Sequence, residues 1–271
     1  MEIISVYSSS RNSGKKTLAM ALGQQAARRD NRTLLIELDY LNNGIAHTYG
    51  ITNDYRNAER YFTNVFKYDD FNIGNYVMKK DQFEKQNKDL SKAHEAINSD
   101  LDFLIFSNEY KPALFPKMND FSTEKVSRLS KRFFEELRQT EYDLVILVLP
   151  NQAEDMFTIP MIMESDHTIN VVSFSLSSIE EIKGFSNLFN VEVSEKMKYV
   201  LNFTTKRIDS ADYDHMMKPL NTVQLIPFED QRMLNEVNAV IGSPAIDSAA
   251  VSILQQCDID VTEKKRSFFK I

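Results

Sequence analysis

The stretch that most constrains the fold of this chain is its first polar segment, residues 8–17, which reads SSSRNSGKKT. A short apolar run at residues 3–7 predicts a strand before it, and the run from 18 to 29 predicts a helix after it. In such a setting, loop N–H groups and the positive end of the helix dipole surround a polyphosphate, while a lysine contacts its terminal oxygens. The pair Gly14-Lys15 therefore marks a candidate phosphate-binding loop.

Further apolar runs predict a parallel sheet. The second run, at residues 34–36, leads to Glu37 and Asp39 at the carboxyl end of a strand, which is where ligands bind in doubly wound sheets. Later runs, with helical segments between them, lie at residues 101–106, 145–149, 168–172 and 199–203. This alternation is typical of an α/β fold with a doubly wound, mostly parallel sheet and helices on both faces.

Two regions between these strands have a recognisable pattern. Ser122 fits a helix N-cap, because apolar residues follow it at steps of three and four and predict one buried face. These residues are Val126, Leu129, Phe133 and Leu137. Residues 52–100 form a polar insert, with an aromatic-rich segment at 61–66 that is predicted to lie in the core and a charged helical run at 81–97.

Length and composition agree with one main domain. A chain of 271 residues with an apolar fraction of 42% can bury a substantial core, and open α/β sheets commonly reach this size. We predict a single domain over residues 1–262 and a short basic and aromatic tail over residues 263–271. The net charge of −7 argues against non-specific nucleic-acid binding by the whole surface and leaves local basic patches open.

Several other kinds of site have no support in the sequence. Cys257 is the only cysteine, so a buried thiol is expected and a disulfide framework or thiolate metal cluster is not. The four histidines lack metal-ligand spacing, and no GxSxG nucleophile elbow occurs. No basic segment precedes the first apolar run and no apolar stretch approaches the roughly 20 residues of a membrane span, so the expected location is a reducing cytoplasm.

Segments in a fixed order carry a resemblance to a known family. After the Gly14-Lys15 loop come LLIELDYLNNGIAHTYGI at 34–51, YDLVILVLP at 142–150, Leu201-Asn202, and IPFED at 226–230. Together they resemble the MinD/ParA family of deviant Walker P-loop ATPases, in the SIMIBI class, and most nearly its CpaE/TadZ branch, which helps position pilus and secretion machinery. The resemblance implies the same α/β fold, bound ATP or ADP, and a homodimer.

The resemblance also implies roles for particular residues. The phosphates would be bound by Arg11, Gly14, Lys15, Lys16 and Thr17. Glu37 and Asp39 would lie near a metal ion or a water molecule, with Asp39 as the catalytic residue that orients water. Asn202 would read adenine, although its amide is equally suited to capping the turn at the end of a strand.

The loop departs from the family pattern KGGxGKT. Ser10, Arg11 and Asn12 stand where the family has a lysine and two glycines, and of these only Asn12 readily takes a positive φ. Lys16 stands where a hydroxyl would coordinate Mg²⁺, with Thr17 one place later. We interpret Lys16 as a partial replacement for the charge of that cation.

A second departure lies in the strand at 145–149 and the turn after it. Val148 occupies the position of the Walker B aspartate and cannot hold a metal-bound water. Asn151 and Gln152 replace the turn that senses the terminal phosphate in the family, and their amides retain the capacity to donate hydrogen bonds. Two groups that handle Mg²⁺ are thus missing together, so the resemblance does not extend to an ordinary magnesium site.

Three interpretations of the loop remain open. Gly14-Lys15 is an accidental helix start, or the chain is an unusual working ATPase that uses Arg11, Thr17 and Asp39, or it is a degenerate member that binds nucleotide weakly, without metal, or not at all. With regard to hydrolysis we prefer the third interpretation, in which the protein is a degenerate member of the family. The expected function is an atypical nucleotide-binding protein, weak or deficient in ATP hydrolysis, that positions or recruits pilus, secretion or division machinery.

Two alternatives to that function are kept, together with a set of expected partners. One is an active dimerising ATPase for plasmid or chromosome partition, and the other is a nucleotide-free pseudo-ATPase scaffold. Partners would be a second copy of the chain and a protein of a larger assembly, with nucleic acid disfavoured. In the tail, residues 264–266 are basic and lie beside Phe268 and Phe269, which predicts peripheral contact with the inner face of a membrane.

Overall fold

A computed structural model describes residues 1–83, 88–115, 120–205 and 207–262 of the chain. Its centre is one seven-stranded sheet in which every pairing between strands is parallel. The strands are β1 (Glu2–Tyr7), β2 (Thr33–Glu37), β3 (Leu101–Leu104), β4 (Leu144–Val148), β5 (His167–Ser173), β6 (Met197–Thr204) and β7 (Thr222–Pro227). Across the sheet they follow the order β3-β2-β4-β1-β5-β6-β7.

Helices connect the strands. In the described residues the α-helices are α1 (Lys15–Ala27), α2 (Ile45–Tyr49), α3 (Ala58–Tyr68), α4 (Lys88–Ala96), α5 (Thr123–Arg138), α6 (Thr158–Glu164), α7 (Leu176–Ser186), α8 (Val191–Glu195), α9 (Ser210–Met217), α10 (Asp230–Val237) and α11 (Pro244–Gln256). Short 3₁₀ turns lie at Tyr40–Asn42, Ile73–Asn75, Lys80–Gln82 and Pro112–Leu114.

These helices cover both faces of the sheet. One hydrophobic cluster packs α1, α2 and α11 against one face of the sheet. A second cluster packs α3, α5, α6, α7, α8 and α9 against the other face. Successive residues of a strand point to opposite faces, so Ile3 and Ile4 of β1 belong to different clusters. All five residues of β4 are buried, as a parallel strand covered on both faces requires. The predicted doubly wound, parallel α/β fold is confirmed.

Several local predictions are also confirmed. The Ser122 hydroxyl accepts a hydrogen bond from the Lys125 N–H at 3.2 Å and begins α5, whose predicted apolar face is buried. Tyr61 and Phe62 are buried in the core, as expected for the aromatic part of the insert. Cys257 is a fully buried free thiol.

Other local predictions were incomplete. Among its described residues, the charged run at 81–97 is α-helical in α4, whereas residues 81 and 82 belong to a 3₁₀ turn and Phe83 is buried with an extended backbone. β7 was missed because it is an edge strand with five of six residues only partly buried, so it lacks a continuous apolar run. Residues 84–87 and the tail at 263–271 lie outside the described residues. Within the described ones, no helix combines the length and apolar character needed to cross a membrane.

The sheet topology explains where a ligand would bind. The chain passes from β1 toward β2 and β3 on one side, and from β4 toward β5, β6 and β7 on the other, so its direction across the sheet reverses beside β1. Ligands of open α/β sheets bind at such a reversal, outside the carboxyl ends of the strands. At that edge, Val148 of β4 lies in register with Val6 of β1 and Glu37 of β2.

Candidate functional site

The loop between β1 and α1 takes two left-handed backbone conformations. Asn12 has φ 56°, as its tolerance of positive φ predicted, and Gly14 has φ 83° immediately before the first turn of α1. A Cβ on Gly14 would lie 2.3 Å from Nδ2 of Asn202, so this position needs glycine for close approach as well as for its φ. The loop thus presents its backbone and the N-terminus of a 13-residue helix to the same edge of the sheet.

Asn151, from the turn after β4, holds this loop in place. Its Nδ2 donates hydrogen bonds to the carbonyl oxygens of Ser8 at 2.8 Å and Ser10 at 2.7 Å. Its Oδ1 accepts a hydrogen bond from Nζ of Lys15 at 3.1 Å. The Asn151 amide therefore connects the loop backbone to Lys15, the first residue of α1. The sequence had not predicted this role for Asn151.

Lys15 is buried in a set of acceptors. Only 4% of the residue is exposed, and its Nζ lies 3.1 Å from Oδ2 of Asp39 and donates a hydrogen bond to the carbonyl oxygen of Leu149. Burial lowers the pKa of Lys15, and the adjacent Asp39 carboxylate opposes that effect. Lys15 and Asp39 were both predicted at the site, and the structure places them in direct contact.

Lys16 lies against the second carboxylate. Its Nζ is 3.3 Å from Oε1 of Glu37 and 3.9 Å from Oδ2 of Asp39. Glu37 is fully buried, and its Oε1 also accepts a hydrogen bond from the Gly44 N–H at 3.0 Å. Both lysines of the Gly-Lys-Lys segment are thus paired with the two acids at the end of β2.

Glu37 gives the fold a pH dependence that can be measured. Burial raises the pKa of Glu37 from its usual 4.5 to about 7, against the opposing charge of Lys16. The folded chain therefore holds a proton that the unfolded chain has released between about pH 4.5 and 7. The free energy of unfolding should fall as pH rises through that range, by roughly 3 kcal/mol for this shift. Glu37→Gln, which has no titratable group, should remove this contribution and make the slope measured by chemical denaturation and circular dichroism less steep than in the wild type.

Glu141→Gln is the matched control for this titration. The Glu141 side chain is 84% exposed and pairs with Arg32 at the surface, so its loss should leave the slope unchanged. A Glu37→Gln variant that keeps the wild-type slope would contradict the assignment.

The family resemblance implies a bound Mg²⁺ ion, but the residues present do not fit one. Magnesium needs near-octahedral oxygen ligands, several of them water, yet the ammonium of Lys16 already lies between the two carboxylates. The third group expected at a magnesium site is replaced by Val148, which is buried and apolar. Among the described residues, no cluster of three or more His, Cys, Asp or Glu side chains is suited to hold a metal ion.

A different set of contacts surrounds Asn202 at the end of β6. Its Nδ2 donates to the carbonyl oxygen of Ser13 at 2.6 Å, and its Oδ1 accepts from the Phe203 N–H at 2.9 Å and from Nη1 of Arg232 at 3.0 Å. The Arg232 guanidinium also lies 4.5 Å from the centroid of the Phe203 ring. Asn202 therefore caps the strand end, as one of its two expected roles required, and its acceptor is occupied.

Sequence reasoning missed Arg232. It lies in α10, which begins directly after the IPFED segment, and its charge in an otherwise apolar and acidic neighbourhood was the available signal. Only 5% of the residue is exposed, which is unusual for an arginine without a function in the fold or a site.

These parts enclose one cavity of about 370 Å³. Its lining has two parts: the loop, α1 and the chain after β2 contribute Arg11, Gly14, Lys15, Lys16, Thr17 and Asp39, and the chain around the end of β6 and α10 contributes Phe203, Phe228, Arg232, Met233 and Glu236. Glu37 and Asn202 lie behind these walls and are fully buried. The volume is in the range of small-molecule sites, and the lining combines a basic, polar part with an aromatic part.

Solved structures of three proteins share the fold at low identity. MinD cell division protein of Aquifex aeolicus has a TM-score of 0.68 at 15% identity, covering 98% of this chain and 100% of that chain. A plasmid partition protein of Borrelia burgdorferi bound to AMPPNP has a TM-score of 0.66 at 17% identity, covering 94% and 96%. A ParA family ATPase of Chlorobium tepidum has a TM-score of 0.61 at 16% identity, covering 92% and 98%.

Sequence comparison defines the family. No curated protein sequence is significantly similar to the chain. The family model AAA_31, described as an AAA domain, matches residues 1–203, which include the loop, Glu37, Asp39, β4 and Asn202. The chain therefore belongs to the AAA_31 family of AAA domains, and it shares its fold with MinD and ParA proteins.

Proposed function

We propose that this chain binds a purine nucleoside di- or triphosphate without Mg²⁺, with its phosphates on the loop and the N-terminus of α1. The observation that carries the proposal is the position of Lys16, whose ammonium lies 3.3 Å from Glu37 and 3.9 Å from Asp39. A fixed positive charge at that place offsets phosphate charge as a cation does, and the dipole of α1 adds to it. Lys15 supplies a second ammonium, which exchanges Asp39 and Asn151 for phosphate oxygens.

Weak or deficient hydrolysis follows from the same contacts. Asp39 is the residue proposed to orient an attacking water, but the Lys16 ammonium, 3.9 Å from its Oδ2, stays beside that carboxylate when Lys15 turns to the phosphates. Val148 supplies no ligand for a metal-bound water. A bound nucleotide would then persist, and the protein would serve as a binding module in an assembly rather than as a rapid ATPase.

The proposed role is to position or recruit a larger assembly, as a homodimer or with a protein partner. Large apolar side chains on and beside α7 and α8 support such contacts: Leu176, Leu188 and Val191 are 73%, 62% and 75% exposed. The partition and division roles of the proteins that share the fold are the alternatives within this type. Membrane contact by residues 263–271 stays a prediction from sequence.

A nucleotide-free scaffold is the second candidate function. It is favoured by one observation, which is that Lys15 already has Asp39, Leu149 and Asn151 as partners. A ligand must displace these contacts before its phosphates reach the ammonium.

Calorimetric titration decides between these functions. ATP and GTP would be titrated into the wild type, Lys15→Met and Lys16→Thr, each with Mg²⁺ and with a chelator. The expected result is wild-type binding of at least one nucleotide that is unchanged by Mg²⁺, and a loss of about tenfold or more in Lys15→Met, since charge-assisted hydrogen bonds to phosphate disappear. Lys16→Thr restores a hydroxyl at the metal position and should make binding depend on Mg²⁺.

Each result has a definite reading. Binding by the wild type that strengthens with Mg²⁺, joined by turnover that Asp39→Ala abolishes, would replace the proposal with an active ATPase. Absence of binding in every buffer would leave the scaffold. Equal affinity in the wild type and Lys15→Met would refute the phosphate assignment.

A further inference from the structure

The base of a nucleotide on this loop would lie where Arg232 and Glu236 line the cavity, and Asn202, the residue expected to read adenine, has no free acceptor there. Adenine presents an amino group at C6, which donates to an acceptor of the protein, and Asn202 Oδ1 is the acceptor that the family resemblance implies. That oxygen already accepts from the Arg232 guanidinium at 3.0 Å and from the Phe203 N–H at 2.9 Å, and Asn202 is fully buried. An adenine read by Asn202 would have to expel the guanidinium first.

Arg232 is held firmly where it is. Its guanidinium lies 4.5 Å from the Phe203 ring centroid and donates to Asn202, and its Nη2 would be 3.6 Å from a Cβ on Gly14. Phe203 itself has φ 62°, at a register shift between β6 and β7, so the backbone turns to place its ring there. A cation over an aromatic face that is also bound to a buried amide is stabilised against displacement.

The guanidinium supplies donors to the cavity in place of that acceptor. An arginine has five N–H donors and no acceptor, and a single one of them is directed at Asn202. The base complementary to such a group carries an acceptor at C6. Guanine does, at O6, whereas both purines carry the N7 acceptor, and arginine bonded to O6 and N7 is the commonest specific contact to guanine in DNA recognition.

Glu236 completes the complement. It lies four residues after Arg232 in α10, so both side chains project from one face of the helix, and both line the cavity. Its carboxylate accepts from N–H donors, which guanine offers at N1 and at its 2-amino group. Phe228 and Met233 are 51% and 56% exposed at the same end and provide apolar surface for the faces of a base.

We infer that Arg232 and Glu236 set the base preference of this site and select guanine over adenine. The inference rests on the proposed function, since it assigns the base of the nucleotide whose phosphates lie on the loop. Arg232 reads the O6 edge while remaining bonded to Asn202, and Glu236 reads the 2-amino side.

The test is calorimetric titration of GTP, ITP and ATP into the wild type and three variants in α10. The wild type should bind GTP about tenfold or more tightly than ATP, the size expected for one good contact to a base edge. Arg232→Met should lose this preference, because it removes the donors and frees Asn202 Oδ1 for adenine. Glu236→Gln should weaken GTP and leave ITP unchanged, since inosine lacks the 2-amino group.

Gln231→Ala is the matched control. Gln231 is exposed in the same helix and bonds to Asn235 away from the cavity, so the preference for GTP should persist. Melting temperatures of all variants would establish that they are folded. Equal or tighter binding of ATP by the wild type, or an unchanged preference in folded Arg232→Met, overturns the inference and leaves the proposed function standing. Failure of all three nucleotides to bind overturns both.

Discussion

Replacing Asp39 with alanine is expected to lower the free energy of unfolding by about 3 kcal/mol. Asp39 and Lys15 are 1% and 4% exposed and 3.1 Å apart, so the change leaves a buried ammonium without its counter-charge. Removing one partner of a buried ion pair typically costs about 3–5 kcal/mol. We expect the lower end, because Lys15 keeps its hydrogen bonds to Leu149 and Asn151.

Urea denaturation of a double-mutant cycle measures this coupling. Lys15→Met removes the buried charge, so Asp39→Ala should destabilise that variant far less than it destabilises the wild type. Two effects that simply add would show that the two side chains do not interact in the folded protein. Glu141→Gln, at the exposed pair with Arg32, serves as the control and should change stability by less than about 1 kcal/mol.

Gly14→Ala is expected to have a similarly large effect for a different reason. An alanine at φ 83° is strained by about 1–2 kcal/mol, since this left-handed region brings its Cβ close to the following carbonyl. The new Cβ would also lie 2.3 Å from Nδ2 of Asn202, which must then move away from Ser13 and Arg232. Disturbing those buried hydrogen bonds adds about 1–3 kcal/mol.

A second glycine provides the comparison for this change. Gly184 lies inside α7, and no described atom comes within 4 Å of the place a Cβ would occupy. Gly184→Ala should therefore raise the free energy of unfolding by up to about 1 kcal/mol, as alanine is the better helix former. If Gly14→Ala proved as harmless as Gly184→Ala in thermal and urea denaturation, the strained conformation of the loop would be refuted.

The fold was predictable because buried parallel strands carry their signal locally. β4 is apolar along its whole length, and β1 and β2 each contain a run of consecutive apolar residues, so position and class follow from consecutive residues. β7 could not be found this way. As an edge strand it is only partly buried, so its sequence, TVQLIP, can be partly polar and contains no continuous apolar run. The prediction of one helix over residues 81–97 was met in α4 but not at Phe83, where burial in the core accompanies an extended backbone that the local charged pattern does not indicate.

The residues of the candidate site also divide into those that a local sequence pattern predicts and those that it does not. Gly14, Lys15 and Lys16 were predictable because they belong to one local loop, and Asp39 because it follows a strand. The partners that define how these residues are used lie far away in the chain. Asn151 contacts Ser8 across 143 positions and Arg232 contacts Asn202 across 30, and neither contact has a sequence pattern of its own.

The amide of Asn151, bonded to two carbonyl oxygens of the loop, has a consequence for the thermodynamics of recognition. Flexible glycine-rich loops lose conformational entropy when a ligand orders them, and that loss is subtracted from affinity. Here the pinned backbone, with Asn12 in place of a glycine, is ordered when the chain folds. Association at this loop should accordingly carry a small entropic penalty and proceed with little rearrangement of the backbone.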